Sequence, residues 1–411
     1  MSYKCEILAD SINQQGHRLT TFKVTYPRII HAEMLRHRML SRNVASSRAI
    51  PFEKMVKDVQ ENPFIPIAWQ KNHSGMQGTE YLSKTDKFNL SQFVSAMIDT
   101  LNNMADRSSK DFKQFEKEVE ERVNLITGLL SKYTHLTMTL DEWWLLARDK
   151  VVKATSILYV FRVTKQLCNR LLEPFVWTTE LVSGTEWENF FELRCPQYGN
   201  NEQGYFKSKK DALRHLQEKG VDITNLLKST DIEWQKINKS QAEIHIQKIA
   251  EMMYDAYNES TPKQLKEGEF HIPFGDRIDL ISWLDIVNDD GHLDGDLDEQ
   301  DRLFIIDKLK ISTARCARLS YTTLGDNPKI DYEADIKLHD KLLKSKHLSC
   351  FEHCARAMSE EEYESFYKGE EANKEHAGLD ENKGWCNNYH GFIQYRYFVE
   401  NQYINTSKFN M

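Results

Sequence analysis

Arg36-His37-Arg38-Met39-Leu40-Ser41-Arg42-Asn43-Val44-Ala45-Ser46-Ser47-Arg48 is the stretch on which the reading of this chain turns. It holds four arginines, one histidine, three serines and one asparagine, with no acid among them. The chain as a whole leans the other way. Lys plus Arg is 54 against 62 Asp plus Glu, a formal net charge of −8 over 411 residues. Guanidinium groups stay charged at any working pH and grip phosphate through two parallel N–H donors. Serine hydroxyls and backbone N–H groups complete such a cradle, so the stretch predicts an anion site for a nucleotide phosphate. The plainer reading is a basic helix end in solvent, where the helix dipole favours Arg and His. Neither Ser46 nor Ser47 sits in a Gly-x-Ser-x-Gly elbow, which argues against a serine nucleophile.

Upstream, residues 20–26 alternate apolar and β-branched polar side chains and predict a strand. Pro27 then suits the first turn of a helix that Ile29, Ile30, Ala32, Met34 and Leu35 continue. Residues 41–51, rich in Ser, Arg and Asn and ending at Pro51, predict a loop or a helix-to-loop junction. Downstream, helical spacing marks 85–131 through Phe93, Met97, Leu101 and Met104. It also marks 141–172, read as one helix with Asp141 as N-cap. In 241–257, Ala242, Ile246, Ile249 and Met253 form the buried stripe and Lys248 falls on the solvent side. Residues 331–346 read as a further helix and 392–397 as a strand. Residues 197–240 are polar and read as an insertion with a helix at 208–219. Residues 260–305 read as an acidic connecting segment. Its run Asp289–Asp301 is a solvated linker, because the spacing of a calcium loop is not met.

Composition bounds the class. Hydrophobic residues are 40% and aromatics 11%, enough to bury a core, and 9 Pro with 17 Gly exclude a collagen-like or linker-like chain. Seven scattered cysteines fit a reducing compartment better than a disulfide framework. Cys350 and Cys354 lack the second pair of a zinc site, and His347 and His353 lack an evident third ligand, so no metal is expected. No apolar run approaches the ~20 residues of a membrane span, and Met1–Glu6 lacks the apolar core of a secretory signal. The expectation is a cytoplasmic protein with no membrane and no nucleic-acid partner.

The spacing of the opening stretch carries a resemblance. Arg-His-Arg, then seven residues, then Ser46, with Arg48 two later, resembles the signature of flavin-dependent thymidylate synthases of the ThyX type. Two further blocks are similar to that family. One is Arg170-Leu171-Leu172-Glu173-Pro174 with Asn189-Phe190-Phe191-Glu192-Leu193-Arg194. The other is Ala317-Arg318-Leu319-Ser320-Tyr321 with His347-Leu348-Ser349-Cys350-Phe351-Glu352-His353. In the usual family order the His-x-Ser-x-Phe-Glu-His block precedes Arg-His-Arg; here it lies some three hundred residues later, as in a circular permutant. Permutation is tolerated where termini lie close and the new break is exposed.

The resemblance implies an α+β fold, mostly helical with a central antiparallel sheet. It implies one permuted catalytic domain over 1–411, with 356–411 as a C-terminal extension. It implies FAD held by Arg36, His37, Arg38, Asn43, Asn189, Ser349 and Glu352, with His347 near the flavin ring. dUMP would lie against Glu33, Arg36, Ser46, Ser47, Arg48, Arg170 and Arg194. Arg194, the candidate catalytic residue beside His347, would favour ionisation of uracil N3, as an adjacent fixed cation can. The implied reaction is reductive methylation of dUMP to dTMP, with methylenetetrahydrofolate as carbon donor, NADPH as reductant and a homotetramer as the assembly. Four positions depart from the pattern: Glu33 in place of Gln, Val44 in place of a polar residue, Ser183 where Asn is common, and Cys350 in place of Pro. They leave room for another pyrimidine deoxynucleotide. A nucleic-acid-binding protein using Arg36–Arg48 is the reading of another class. The permuted order makes two geometric demands: His347 and Ser349 must return to Arg36–Arg38 of this or a neighbouring subunit, and strand 20–26 should pair near the segment after His353.

Overall fold

Thr20, Thr21, Phe22, Val24 and Tyr26 are all buried, so the alternating run reads as a strand packed on both faces. It is the centre of the sheet in a computed structural model that describes residues 2–73, 78, 80–200, 204–279, 297–320, 331–367 and 382–401. The strands that matter for the site are β1 (Lys4–Ile12), β2 (Arg18–Pro27), β3 (Ser41–Val44), β4 (Trp177–Gly184) and β5 (Lys263–Gln264). They form one sheet in the order β5-β1-β2-β4-β3. The β1–β2 turn is closed by Gly16, whose φ of +86° a side chain would strain. The helices of the chain include α1 (His31–Leu35), α2 (Phe52–Glu61), α3 (Leu90–Asn102), α4 (Lys110–Thr127), α5 (Leu140–Val160), α6 (Lys165–Leu172), α7 (Glu188–Arg194), α8 (Lys209–Glu218), α9 (Ile244–Glu259), α10 (Leu297–Ser320), α11 (Tyr332–Lys344) and α12 (Tyr395–Glu400).

The period of two along β4 sorts its side chains into two cores. Val182 joins Phe22, Val24, Tyr26, Phe190, Ile246, Ile249 and Met253 on the α9 face. Leu181 joins Leu309, Cys316, Phe351, Ile393 and Tyr395 on the α10 face. Each fully buried aliphatic side chain contributes roughly 1.5–3 kcal/mol. The stripe Ala242, Ile246, Ile249, Met253 is buried as its spacing predicts, whereas Lys248 is half-buried. Residues 392–397 start as a strand, Phe392–Gln394, and continue as α12. Ile393 and Tyr395 there are core residues, so part of 356–411 is built into the main unit. The segment 197–240 carries a small core of its own, Tyr198, Ala212 and Trp234, beneath α8.

The chain gathers into two compact units, residues 1–64 with 158–411, and residues 65–157. In the second unit Asn89 and Ser109 cap α3 and α4 by accepting from Gln92 N and Phe112 N. The fold is α+β. Among the described residues no helix is long and apolar enough to cross a membrane.

Several expectations are corrected. Ser41–Val44, read as loop, is strand β3 and pairs antiparallel with β4, Ser41 opposite Ser183 and Val44 opposite Glu180. Its polar composition misleads because the inward Ser41 and Asn43 are buried and hydrogen-bonded. The sheet is mixed rather than wholly antiparallel, because β5 returns after helix α9 and lies parallel to β1. The 141–172 helix breaks at Arg162, whose φ is +63°. Its start is capped by Thr139 and Glu142 in a reciprocal box at 3.2 and 2.7 Å, and Asp141 instead accepts from Trp69 Nε1. The segment after His353, Ala355–Ala357, pairs with Phe270–His271 and Phe392–Gln394 and not with β2, because both edges of β2 are taken by β1 and β4. Of the acidic run, residues 289–296 lie outside the described residues, and Leu297–Asp301 open α10.

Candidate active site

Helix α1 is only five residues long, and the turn after it is fixed by apolar anchors. Met34 and Leu40 are buried and pin the two ends of that turn. Between them Arg36 and Arg38 stand exposed, as does Arg48 further on. Among the described residues none of these three guanidinium groups has an ion-pair partner. Cations left without a counter-charge on one short turn are what an anion site needs.

Arg194, at the last position of α7, reaches the same turn. Its Nε donates to His37 Nε2 at 2.9 Å, so His37 accepts there and is the neutral tautomer protonated on Nδ1. Burial, then the Arg194 and Arg42 charges, lower the His37 pKa to about 4. Burial and the nearby Arg36 pull the Arg194 pKa down, and Glu33 pulls it up. Glu33 thus lies in the field of Arg194, and its buried Oε2 has no hydrogen-bond partner. Phe190 and Phe191 anchor α7 in the core and leave Asn189 exposed on it.

The Ser46–Arg48 loop is held from behind by α6. Asn169 Nδ2 donates to the carbonyls of Ser47 and Ile50 at 2.7 and 2.9 Å, and Lys165 Nζ donates to Ala49 O. Ser47 Oγ donates to Glu173 Oε1 at 2.7 Å. Arg170, one residue beyond Asn169, is exposed. Ser47 also borders a cavity of about 670 Å³ whose other walls include Lys23, Arg28, Lys54, Glu173 and Trp177.

The distant third block returns to the same sheet edge. Asn43 Nδ2 donates to Cys316 O at 2.7 Å, and Ser349 Oγ donates to Asn43 Oδ1 at 3.3 Å. His353 is fully buried, and its Nδ1 lies 2.8 Å from Ser183 Oγ. From there the bonds run on to Thr21, His271 and Ser11 across the sheet. Burial lowers the His353 and His271 pKa values to about 3, so both rings stay neutral. Glu352 pairs with Arg396 at 2.7 Å. His347 is exposed, with Nδ1 2.8 Å from Ser345 Oγ. Among the described residues no three His, Cys, Asp or Glu side chains gather as a metal site.

Thiol chemistry is disfavoured by burial. All seven cysteines are free and six are buried. Burial raises the pKa of Cys5, Cys350 and Cys386 to about 12 and of Cys354 to about 11, and it drives Cys195 and Cys316 higher as well. A thiolate nucleophile is therefore not poised at these positions.

One group escaped the sequence reading. Glu180 sits in β4 with no exposed surface; Tyr26 Oη donates to its Oε2 at 2.5 Å, and Arg42 Nε lies 3.8 Å from its Oε1. The signal was present: an acid inside Thr178-Thr179-Glu180-Leu181-Val182, a run that otherwise reads as buried strand.

No family model matches the chain, and no curated protein matches it. Among solved structures it is similar to a UMP/dUMP methylase, PolB from Streptomyces cacaoi bound with 5-Br UMP, at 12% identity and a TM-score of 0.30, over 63% of this chain and 89% of that chain.

Proposed function

We propose that this chain is a flavin-dependent enzyme that modifies C5 of a pyrimidine deoxynucleotide, and that its reaction is reductive methylation of dUMP to dTMP in a permuted ThyX-type fold. The observation that carries this reading is convergence. Blocks separated by about 150 and 300 residues in sequence both return to the Arg36–Arg48 segment, through Arg194–His37 at 2.9 Å on its turn and Ser349–Asn43 at 3.3 Å on strand β3.

The donor set suits an anionic dinucleotide, since Arg36, Arg38 and Arg48 lack counter-ions among the described residues. On this reading Arg36, His37, Arg38, Asn43, Asn189 and Ser349 hold FAD, and Glu352 keeps Arg396 in place beside that block. A bound flavin would supply hydride chemistry there, with NADPH as reductant and methylenetetrahydrofolate as carbon source. The chain's own residues do the rest. Ser46 and Arg48 hold the phosphate, and Ser47, tied to Glu173, keeps their loop in shape. Arg194 holds positive charge beside uracil N3, which stabilises the anion that makes C5 nucleophilic. His37 stays neutral and fixes the Arg194 fork. Leu167 and Leu171 are exposed on the same helix as Arg170, which favours burial against another copy in a homotetramer, with Arg170 and His347 reaching a neighbour's site.

A second reading keeps the site and changes the base. The unpartnered Glu33 oxygen can only accept when ionised, and the exocyclic amine of cytosine donates.

The test is optical. Protein mixed with FAD and desalted is expected to retain flavin absorbance, and adding dUMP is expected to shift that band. Protein that emerges colourless, with no uptake at any FAD concentration, contradicts the proposal.

A further inference from the structure

A buried carboxylate lies directly under the basic turn, and a single side chain connects the two. Arg42 Nη2 donates to His37 O at 2.6 Å, the carbonyl that also accepts from Leu40 N. Arg42 thereby ties down the Arg36–Arg38 turn that follows α1. Its Nε faces Glu180 Oε1 at 3.8 Å, and both atoms are buried without a hydrogen bond. They are held together by charge and not by a shared proton. On its other side Glu180 Oε2 accepts from Tyr26 Oη, and that hydroxyl lies 2.7 Å from His31 Nδ1 in α1. The carboxylate is therefore linked, through Tyr26 and through Arg42, to His31 at the start of the unit that presents the guanidinium groups and to His37 on its turn.

We propose that Glu180 is a positioning residue that acts through Arg42 to hold the Arg36–Arg38 turn in its anion-binding shape, and that it does so only as the carboxylate. The functional part of the inference rests on reading that turn as a nucleotide-phosphate site.

Among the described residues, three charged or titratable groups act on Glu180 directly and one through Tyr26. Tyr26 comes from β2, Arg28 from the turn after β2, Arg42 from β3, and His31 acts through Tyr26. The α9 residues in the same core, Ile246, Ile249, Ala250 and Met253, are apolar. Burial raises the Glu180 pKa to about 7, against the Tyr26 bond and the Arg42 and Arg28 charges. His31 is lowered to about 4 and stays neutral across this range. Above pH 7 Glu180 is charged and Arg42 has its counter-ion. Below it the carboxyl is neutral, and a largely buried Arg42 is left uncompensated, which costs more than the lost bond. Removing the Glu180 charge also raises the positive field at the turn. That change unmasks the Arg42 charge and by itself favours an anion, so it opposes the lost tether, and the direction of the dUMP affinity change tells which of the two governs the turn.

The experiment compares the wild type with Glu180→Gln, which keeps the shape and removes the charge, at pH 5.5 and 8.5. Two readouts are taken: hydrogen exchange at the His37 and Leu40 amides, and calorimetric binding of dUMP. At pH 8.5 the variant is expected to exchange these amides about tenfold faster and to bind dUMP about tenfold more weakly, with both differences gone at pH 5.5. The ionisation of the phosphate itself, near pH 6, is common to both proteins and cancels in the comparison. Tyr26→Phe removes the donor that stabilises the carboxylate. It is expected to move the midpoint of the wild-type exchange profile to higher pH. Equal exchange in wild type and Glu180→Gln at both pH values, or tighter dUMP binding by the variant, overturns the inference. If dUMP binds neither protein, the nucleotide reading fails, while the exchange data still decide the positioning role.

Discussion

Arg194→Ala is expected to lower kcat/KM for the nucleotide reaction about 10²–10³-fold, the loss typical when one preorganised donor to a developing charge is removed. The fold should survive the change. Alanine is the best helix former, and α7 is anchored by Phe190 and Phe191, not by its last residue. The melting temperature is therefore expected to stay within a few degrees of wild type. The effect should fall on kcat more than on KM, because the cation acts on the anion formed during reaction while the phosphate contacts remain. Arg194→Lys is expected to recover only part of the loss, since an ammonium lacks the fork that serves His37 and the base together. Steady-state kinetics on the FAD-loaded protein check this. A variant with wild-type kcat removes Arg194 from the chemistry.

Arg48→Ala is expected to weaken dUMP binding about 10- to 100-fold, the worth of a charge-assisted contact of ~1.5–3 kcal/mol. Arg48 is exposed and has no counter-ion among the described residues, so removing it breaks no ion pair there and leaves no buried charge behind. Its loop is held by Asn169 and Ser47, not by Arg48 itself. The lost affinity should concern the phosphate, so deoxyuridine without its phosphate is expected to bind wild type and variant alike. Calorimetric titration at fixed ionic strength measures both. Equal dUMP affinity in the two proteins places the phosphate elsewhere.

Much of this was legible in the sequence, and the exceptions share a cause. The α9 stripe announces itself because its apolar spacing answers to one buried face, and strand β2 because its β-branched and aromatic run suits a strand buried on both. Strand β3 did not, because Ser41 and Asn43 look like loop residues until their partners are known. Those partners, Gln394 and Cys316, lie some 350 and 270 residues away. Local composition cannot register a polar residue that is satisfied by a distant one. The break at Arg162 was hidden because a left-handed residue that is not glycine leaves no mark in the sequence. The Arg42–Glu180 pair was missed for a related reason. Arg42 was counted with the anion-binding arginines, although its side chain turns inward to a buried acid on the neighbouring strand.

Turnover gives the most direct test of whether these converging blocks form one reactive site. Protein supplied with dUMP, methylenetetrahydrofolate, NADPH and FAD should yield a nucleotide heavier by one methyl group in place of hydrogen, as read by mass spectrometry, with dCMP run in parallel to decide the base. Product should depend on FAD and fall away in Arg194→Ala. Flavin-loaded wild-type protein that returns both nucleotides at unchanged mass would contradict the reading.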